Sequence, residues 1–155
     1  MTRRSVALPL ALALILGAAS AGAVQAGGPT RESDSYTERF FDDFIFDICG
    51  IETFTTLTER WTFKEFADGS ATLHSVRTFV PDDPRIPIEK GAATSFIAPD
   101  GTRTVVGKPI QLIGRKGGVR IRDAGRIVLD ESGNVLSVNG PHPAYGIDLA
   151  PYYCP

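Results

Sequence analysis

Turn-forming residues divide most of this chain into short segments with the spacing of β-hairpins. Asp-Gly, Gly-Gly or Ser-Gly steps occur at 67–70, 99–101, 114–118 and 131–134. The segments between these steps are rich in Thr, Val, Ile and aromatic residues, a composition that is typical of strands. No segment shows a convincing amphipathic helical pattern. The sequence therefore predicts an all-β fold in which neighbouring antiparallel strands follow one another along the chain.

The predicted strands form a meander of about seven to eight members. The first is placed at 44–48, where Phe44 and Phe46 alternate, and the others are expected at 51–66, 71–80, 92–98, 103–113, 119–130 and 135–139. Three prolines within 81–88 predict a loop there. Such a meander must close as a small barrel or fold into a β-sandwich to bury one face. The barrel is preferred, because cysteines near both ends of the meander could meet at closure.

The N-terminus has the pattern of a secretory signal peptide. Arg3 and Arg4 precede an uncharged apolar run at 6–16, and small residues lead to a cleavage motif that ends at Ala26. The apolar run is much shorter than the ~20 residues of a membrane-spanning helix. We therefore expect a secreted, extracellular protein with no membrane span after processing.

Cleavage after residue 26 leaves 129 of the 155 residues, the size of one domain. The polar segment 27–43 is predicted to be a flexible leader. Residues 44–155 are predicted to form a single β domain. The sequence carries no evidence on oligomeric state.

The charge of the chain argues against nucleic acid as a partner. Without Arg3 and Arg4, 14 basic residues stand against 18 acidic ones, a net charge of −4, whereas nucleic-acid-binding domains carry a basic excess. The charged residues within 27–59 are mostly acidic, and those within 101–126 are mostly basic. A basic patch for an anionic surface is one interpretation. The favoured interpretation is that the two segments lie side by side and neutralise each other through weak exposed pairs.

The two cysteines predict one disulfide. Cys49 and Cys154 are an even number in a chain expected to be exported, where disulfides form and persist. Their bridge would close most of the domain into one loop. Two cysteines without a nearby histidine make a poor zinc site, and the acidic pairs at 42–43 and 82–83 lack the alternate spacing of calcium ligands. We predict neither a metal site nor a cofactor.

Several of these features together resemble a protein family. Cys49 leads into Thr-rich hairpins, and the sequence Asp-Ala-Gly-Arg-Ile-Val-Leu-Asp follows at 123–130. The tail holds Gly-Pro-His-Pro at 140–143 before Cys154. This combination is similar to a group of small secreted actinobacterial proteins with a calycin-like or dirigent-like β-barrel. The resemblance spans most of residues 44–155. It implies a lipocalin-like fold and an exported location, but no activity.

The chain offers only weak candidates for catalysis. His142 lies between two prolines that restrict its loop, and Asp148 could orient its ring. Glu59 is flanked along its strand by Leu57 and Trp61, and an apolar setting disfavours the charged form of a carboxylate. His142 has an alternative role in shaping the turn that delivers Cys154. We assign no catalytic residue with these data.

An interior face lined by Leu57, Trp61 and Phe63 is the favoured ligand-binding surface, because alternate residues of one strand share a face. The favoured function is binding of a small apolar molecule by a non-enzymatic barrel. Two alternatives stay open. One is a dirigent-like or cyclase-like enzyme that uses Glu59, and the other is a protein-interaction module whose aromatic residues only fill the interior.

Processing is the first testable prediction. Mass spectrometry of the exported protein is expected to show a chain that begins at or near Gly27, with Cys49 and Cys154 both oxidised. A chain that retains Met1, or that takes up two alkyl groups without prior reduction, would contradict the prediction.

Overall fold

The computed structural model describes residues 28–155, so the predicted signal peptide lies outside the described residues. Eight strands and two short helices follow in the order β1 (Thr30–Phe41), α1 (Asp43–Cys49), β2 (Phe54–Glu65), β3 (Ala71–Pro81), β4 (Ile88–Ile97), β5 (Arg103–Ile113), β6 (Val119–Arg122), β7 (Gly125–Leu129), β8 (Val135–Asn139) and α2 (Ala150–Tyr153). The predicted all-β class is confirmed. From β2 onward the strands lie close to their predicted positions, except that the segment 119–130 divides into β6 and β7.

All eight strands belong to one antiparallel sheet. β1, β2, β3, β4, β5, β7 and β8 are neighbours in this order, and β6 pairs with the C-terminal part of β5. β1 and β8 are the two edges. The sheet described by residues 28–155 is therefore open: neither closure into a barrel nor a second sheet is seen. The cysteines do not bring the edges together, because Cys49 ends α1 and Cys154 follows α2.

Most of the predicted flexible leader at 27–43 is a strand. Within it, β1 pairs with β2 along its entire length, from Thr30 opposite Glu65 to Phe41 opposite Phe54. Nearly all side chains of β1 are exposed. An edge strand of this kind is held mainly by backbone hydrogen bonds, so it lacks the apolar alternation by which strands are recognised in sequences.

The segment 44–48 is part of helix α1, and its prediction as a first strand is wrong. Asp42 caps the helix by accepting a hydrogen bond from the Ile45 amide at 3.0 Å, and Gly50 ends it in the left-handed conformation. Ile45 is buried and Phe44 packs against the core, whereas Phe46 is exposed. The apolar residues that pack inward follow the helical period rather than the alternation suggested by the two phenylalanines.

The register assigns alternate residues to two faces of the sheet. We call inner the face with the odd-numbered residues of β2 from Thr55 to Glu65 and their cross-strand partners. The outer face carries the even-numbered residues from Phe54 to Lys64 and their partners. Apart from Tyr36 and Val135, the large apolar side chains of the inner face are buried or half-buried, whereas the outer face is largely exposed. The inner face is thus the more buried of the two faces of the sheet.

The core lies at the end of the inner face where β2 begins and β3 ends. Ile45 of α1, Ile86 of the β3–β4 loop, Leu112 of β5, Ile121 of β6 and Tyr153 of α2 are each no more than 5% exposed. Two helices and one loop thus pack on a single end of the sheet. No helix within residues 28–155 is long and apolar enough to cross a membrane.

The predicted disulfide joins the two helices that cover this core. Cys49 and Cys154 are bonded across a sequence separation of 105 residues. Beside the bridge, the rings of Phe44 and Tyr153 meet edge to face with their centroids 5.1 Å apart. The bridge therefore fixes the C-terminal helix on the core rather than joining the sheet edges.

We expect loss of the disulfide to destabilise the fold by about 2–5 kcal/mol, as for native bridges in small exported domains. The variant is the double substitution Cys49→Ala and Cys154→Ala, which leaves no free thiol. Urea unfolding followed by Trp61 fluorescence measures the change. A reducing agent should lower the stability of the wild type by a similar amount and leave the double variant unaffected. An unchanged midpoint in the double variant would show that the bridge does not stabilise the core.

Candidate functional site

The three residues predicted to bind a ligand share the inner face of β2. Leu57, Trp61 and Phe63 are all half-buried. Their partners on β3 include Phe79 opposite Leu57 and Leu73 opposite Phe63. The structure thus brings the three residues together with further apolar side chains, on an open face rather than in an enclosed interior. Their role in binding remains a prediction.

An apolar row crosses most of the sheet at the level of Phe63. The cross-strand partners that extend this row on the inner face are Leu73, Ser95, Val105, Ile127 and Val138. All six side chains are half-buried. Sequence analysis identified only the β2 member of this row, because the others become neighbours through pairing between distant segments. Five of the six are apolar and the sixth is Ser95, and we refer to the six residues as the apolar row.

A polar group lies next to Trp61 on the same face. The Tyr36 hydroxyl donates a hydrogen bond to Glu59 Oε2 at 2.7 Å, and Arg77 is the cross-strand partner of Glu59. The hydrogen bond to Glu59, together with burial and the Glu59 charge, raises the pKa of Tyr36 to about 12. Tyr36 therefore remains a hydrogen-bond donor at neutral pH, and the Glu59 carboxylate already has a partner.

Arg77 extends across β4 at the position of Gly91. A Cβ atom on Gly91 would lie 2.5 Å from the Pro109 carbonyl oxygen and 3.1 Å from Arg77 Nε. Glycine therefore leaves the space that Arg77 occupies. The Arg77 guanidinium also lies 5.6 Å from the centroid of the Phe79 ring. This arrangement places one half-buried cation between the acidic residues of the inner face.

A second acidic residue, Glu89, was not found by sequence analysis. It lies at the start of β4 beside the core, where the Tyr153 hydroxyl donates a hydrogen bond to its carboxylate. Burial raises the pKa of Glu89, although the hydrogen bond from Tyr153 and the charge of Arg77 act in the opposite direction. Burial also raises the pKa of Tyr153, and the Glu89 charge adds to that effect. The two residues are 64 positions apart, so no local pattern signals their contact.

His142 lies beside an acidic residue other than the predicted one. Its Nδ1 is 3.8 Å from Asp123 Oδ2, and the His142 and Asp123 side chains are only 2% and 5% exposed. Neither ring nitrogen of His142 has a hydrogen-bond partner within the described part of the chain. Asp148, the predicted partner, instead accepts a hydrogen bond from the Ala150 amide. The expectation that Asp148 orients this ring is therefore wrong.

The residues around His142 hold the C-terminal tail against the sheet. Asp123 Oδ1 accepts a hydrogen bond from the Ala144 amide at 2.8 Å. At Gly125, a Cβ atom would lie 2.3 Å from the Asn139 carbonyl oxygen and 2.9 Å from His142 Nε2. The close approach of the tail thus requires glycine there. These contacts agree with the alternative, structural role of His142.

Three of the four acidic residues at 42–43 and 82–83 have structural partners. Asp42 accepts a hydrogen bond from the Thr55 hydroxyl at 2.5 Å in addition to capping α1. Asp82 and Asp83 form ion pairs with Arg39 and Arg85, and the bond from Arg85 lowers the pKa of Asp83 to about 2. Between residues 28 and 155, no group of three His, Cys, Asp or Glu side chains is arranged to hold a metal ion.

Two surface depressions lie away from Trp61 and Phe63. The larger, of about 520 Å³, is lined by 84–85 and 114–120. Two of its cations already donate hydrogen bonds to backbone carbonyls, Arg115 to that of Ile86 and Arg120 to that of Tyr152. The smaller, of about 190 Å³, is lined by Lys90 of β4 and Lys108 of β5, among others.

Comparisons of the chain with protein-family models, curated proteins and solved structures find no match. The resemblance to secreted proteins with a calycin-like or dirigent-like barrel therefore remains a prediction. The inner face and the buried side chains around it are the basis for proposing a function.

The buried Glu89 makes stability depend on pH. Because its folded-state pKa is raised above the ordinary value of 4.5, the unfolded chain releases this proton first as the pH rises. The contribution of Glu89 to stability is therefore complete at pH values below 4.5, and it is lost as the pH rises through the folded-state pKa of Glu89. Glu89→Gln retains an acceptor for Tyr153 but does not ionise.

We therefore expect the unfolding free energy of the wild type to fall relative to that of Glu89→Gln as the pH rises from 4 to 7, by at most ~1.4 kcal/mol per pH unit. Urea unfolding across this range measures it. Glu65→Gln, at an exposed position of the same face, is the matched control and should follow the wild type. Parallel pH profiles for the wild type and Glu89→Gln would contradict the prediction.

Proposed function

We propose that the protein is exported and that its inner face binds a small, mostly apolar molecule. The observation that supports this most strongly is the apolar row, which leaves Phe63, Leu73 and Ile127 half-buried outside the core. Export is supported by the signal-peptide pattern before Gly27 and by the disulfide.

The apolar row has the chemistry for contact with a hydrocarbon or aromatic group. A ligand that removes ~200 Å² of apolar surface from water gains about 5 kcal/mol before the costs of binding. Trp61 and Phe63 are separated by one residue on the same face of β2, so one ligand can contact both. In this proposal, the open inner face serves the purpose that the interior of a closed barrel serves in a lipocalin-like protein.

The charge of the inner face favours a neutral or cationic ligand over an acid. Every acidic residue within the strands faces inward, namely Glu32, Asp34, Glu38, Glu59, Glu65 and Glu89. The cations whose cross-strand partners place them on this face are Arg77 and Arg103. Like charges repel, so an anionic head group would bind less tightly than a cationic group on the same apolar body.

A dirigent-like or cyclase-like enzyme is the second candidate. Glu59 supports it, because its carboxylate lies next to Trp61 on the face proposed to bind the ligand. The hydrogen bond from Tyr36 holds this carboxylate in place. Glu59→Gln distinguishes the two functions: an enzyme loses turnover with this variant, whereas a binding protein keeps its affinity for a neutral ligand.

Ligand binding is tested with three probes that share one apolar body: decyltrimethylammonium, decanol and decanoate, each below its micelle-forming concentration. Trp61 is the only tryptophan, so its emission reports the inner face alone. We expect a saturable blue shift of Trp61 emission, with the cation and the alcohol bound more tightly than the carboxylate.

Phe63→Asp should weaken binding of the alcohol at least tenfold, since it places a charge in the apolar row. The matched control is Phe46→Asp, at an exposed phenylalanine on α1, which should bind as the wild type does. Circular dichroism confirms that both variants fold. If none of the three probes gives a saturable change, the apolar row serves packing alone and the proposal fails.

A further inference from the structure

Charged residues of the strands are segregated by face. Every strand acid points to the inner face, as described above. The strand cations on the outer face are Arg31, Arg39, Arg60, Lys64, Lys90, Lys108, Arg122 and Arg126. The strand positions of the outer face hold no acidic residue, so this side of the sheet is positively charged although the chain as a whole has a net charge of −2.

These outer cations are exposed and mostly lack acidic partners. All eight residues are exposed. Within residues 28–155, Arg39 is the one outer cation with an acidic oxygen within 4.0 Å, through its pair with Asp82. The predicted neutralisation between the acidic and basic segments is not found, because β1 lies at one edge of the sheet and β5–β7 lie several strands away. Seven of the eight outer cations are therefore without an acidic partner within the described residues.

Exposed apolar side chains lie between the outer cations. Phe41, Phe54, Val76, Phe96 and Val106 belong to this face, and their exposed fractions range from 37% to 49%. Val76 illustrates the pattern, since its neighbour on β2 is Arg60 and its row continues through Ala92 to Lys108. Cations and apolar groups thus alternate across one exposed surface.

The outer face also has a shallow depression whose lining suits an anionic group. The depression of about 190 Å³ is lined by Lys90, Lys108, Thr78 and Gln111, among others. These side chains offer two ammonium groups, one hydroxyl and one amide, and no carboxylate takes part in the lining. A phosphate is the group that such donors fit.

We propose that the outer face docks on a lipid bilayer that carries anionic phosphate headgroups. Basic residues are attracted to the negative surface of such a bilayer, and exposed aromatic and aliphatic side chains enter its interfacial region. A soluble polyanion would satisfy the cations alone and leave Phe41, Phe54 and Phe96 in water. The combination of the two residue classes on one face therefore favours the lipid surface.

Vesicle co-sedimentation of the processed chain tests this proposal. We expect binding to vesicles of phosphatidylcholine mixed with phosphatidylglycerol, weak binding to phosphatidylcholine alone, and release by high salt. Lys108→Glu removes one positive charge and adds a negative one, so it should weaken binding to the anionic vesicles about 30-fold. Phe96→Ser should weaken the same binding while leaving its salt dependence unchanged.

The matched control is Lys116→Glu, which changes the net charge identically but lies in the turn between β5 and β6. It should bind within about twofold of the wild type if the face, rather than the total charge, determines docking. Equal losses from Lys108→Glu and Lys116→Glu would overturn the proposal. So would an absence of binding to anionic vesicles, or binding to heparin that exceeds vesicle binding and is insensitive to Phe96→Ser.

Discussion

The register of the sheet is the constraint on which the other features depend. From β1 to β4 the pairing runs without interruption, and the first shift occurs between Lys90 and Ala92 opposite β5. Because side chains alternate with a period of two, a slip of one residue would exchange the faces of an entire strand. Tight turns oppose such a slip, as in the hairpin where the Asp68 carboxylate accepts a hydrogen bond from the Ser70 amide.

The core anchors this register at one end only. Thr55 at the start of β2 and Leu112 near the end of β5 are fully buried, whereas large apolar residues farther along the same face, such as Leu73 and Ile127, are half-buried. Packing therefore stabilises one end, and backbone pairing extends the order along the strands. The disulfide has its effect at the packed end, where it keeps α1 and α2 on the core. The opposite end of the inner face, which includes the apolar row, is covered by neither helix.

Local chemistry determined how much of this fold was predictable. The turns at 67–70 and 99–101, with glycine at positive φ in each, marked the strands correctly. The edge strand β1 was missed because its side chains are exposed and show no apolar alternation. Helix α1 was missed because Phe44 and Phe46 alternate as they would in a strand. Contacts such as Tyr153 with Glu89 and His142 with Asp123 join distant segments. Only the folded sheet and tail bring those residues together, so residue spacing carried no signal for them.

Acidic and basic residues are often adjacent in the sequence. The net charge of a sequence window is therefore near zero, although the two faces of the sheet differ in charge. Arg31–Glu32, Glu38–Arg39, Glu59–Arg60, Lys64–Glu65 and Glu89–Lys90 each sum to zero along the chain. In a strand, however, neighbours point to opposite sides. Each pair therefore sends its acid to the inner face and its base to the outer face. The near-neutral composition that argues against a polyanionic partner is thus compatible with a strongly cationic surface, once the strand positions are separated by parity.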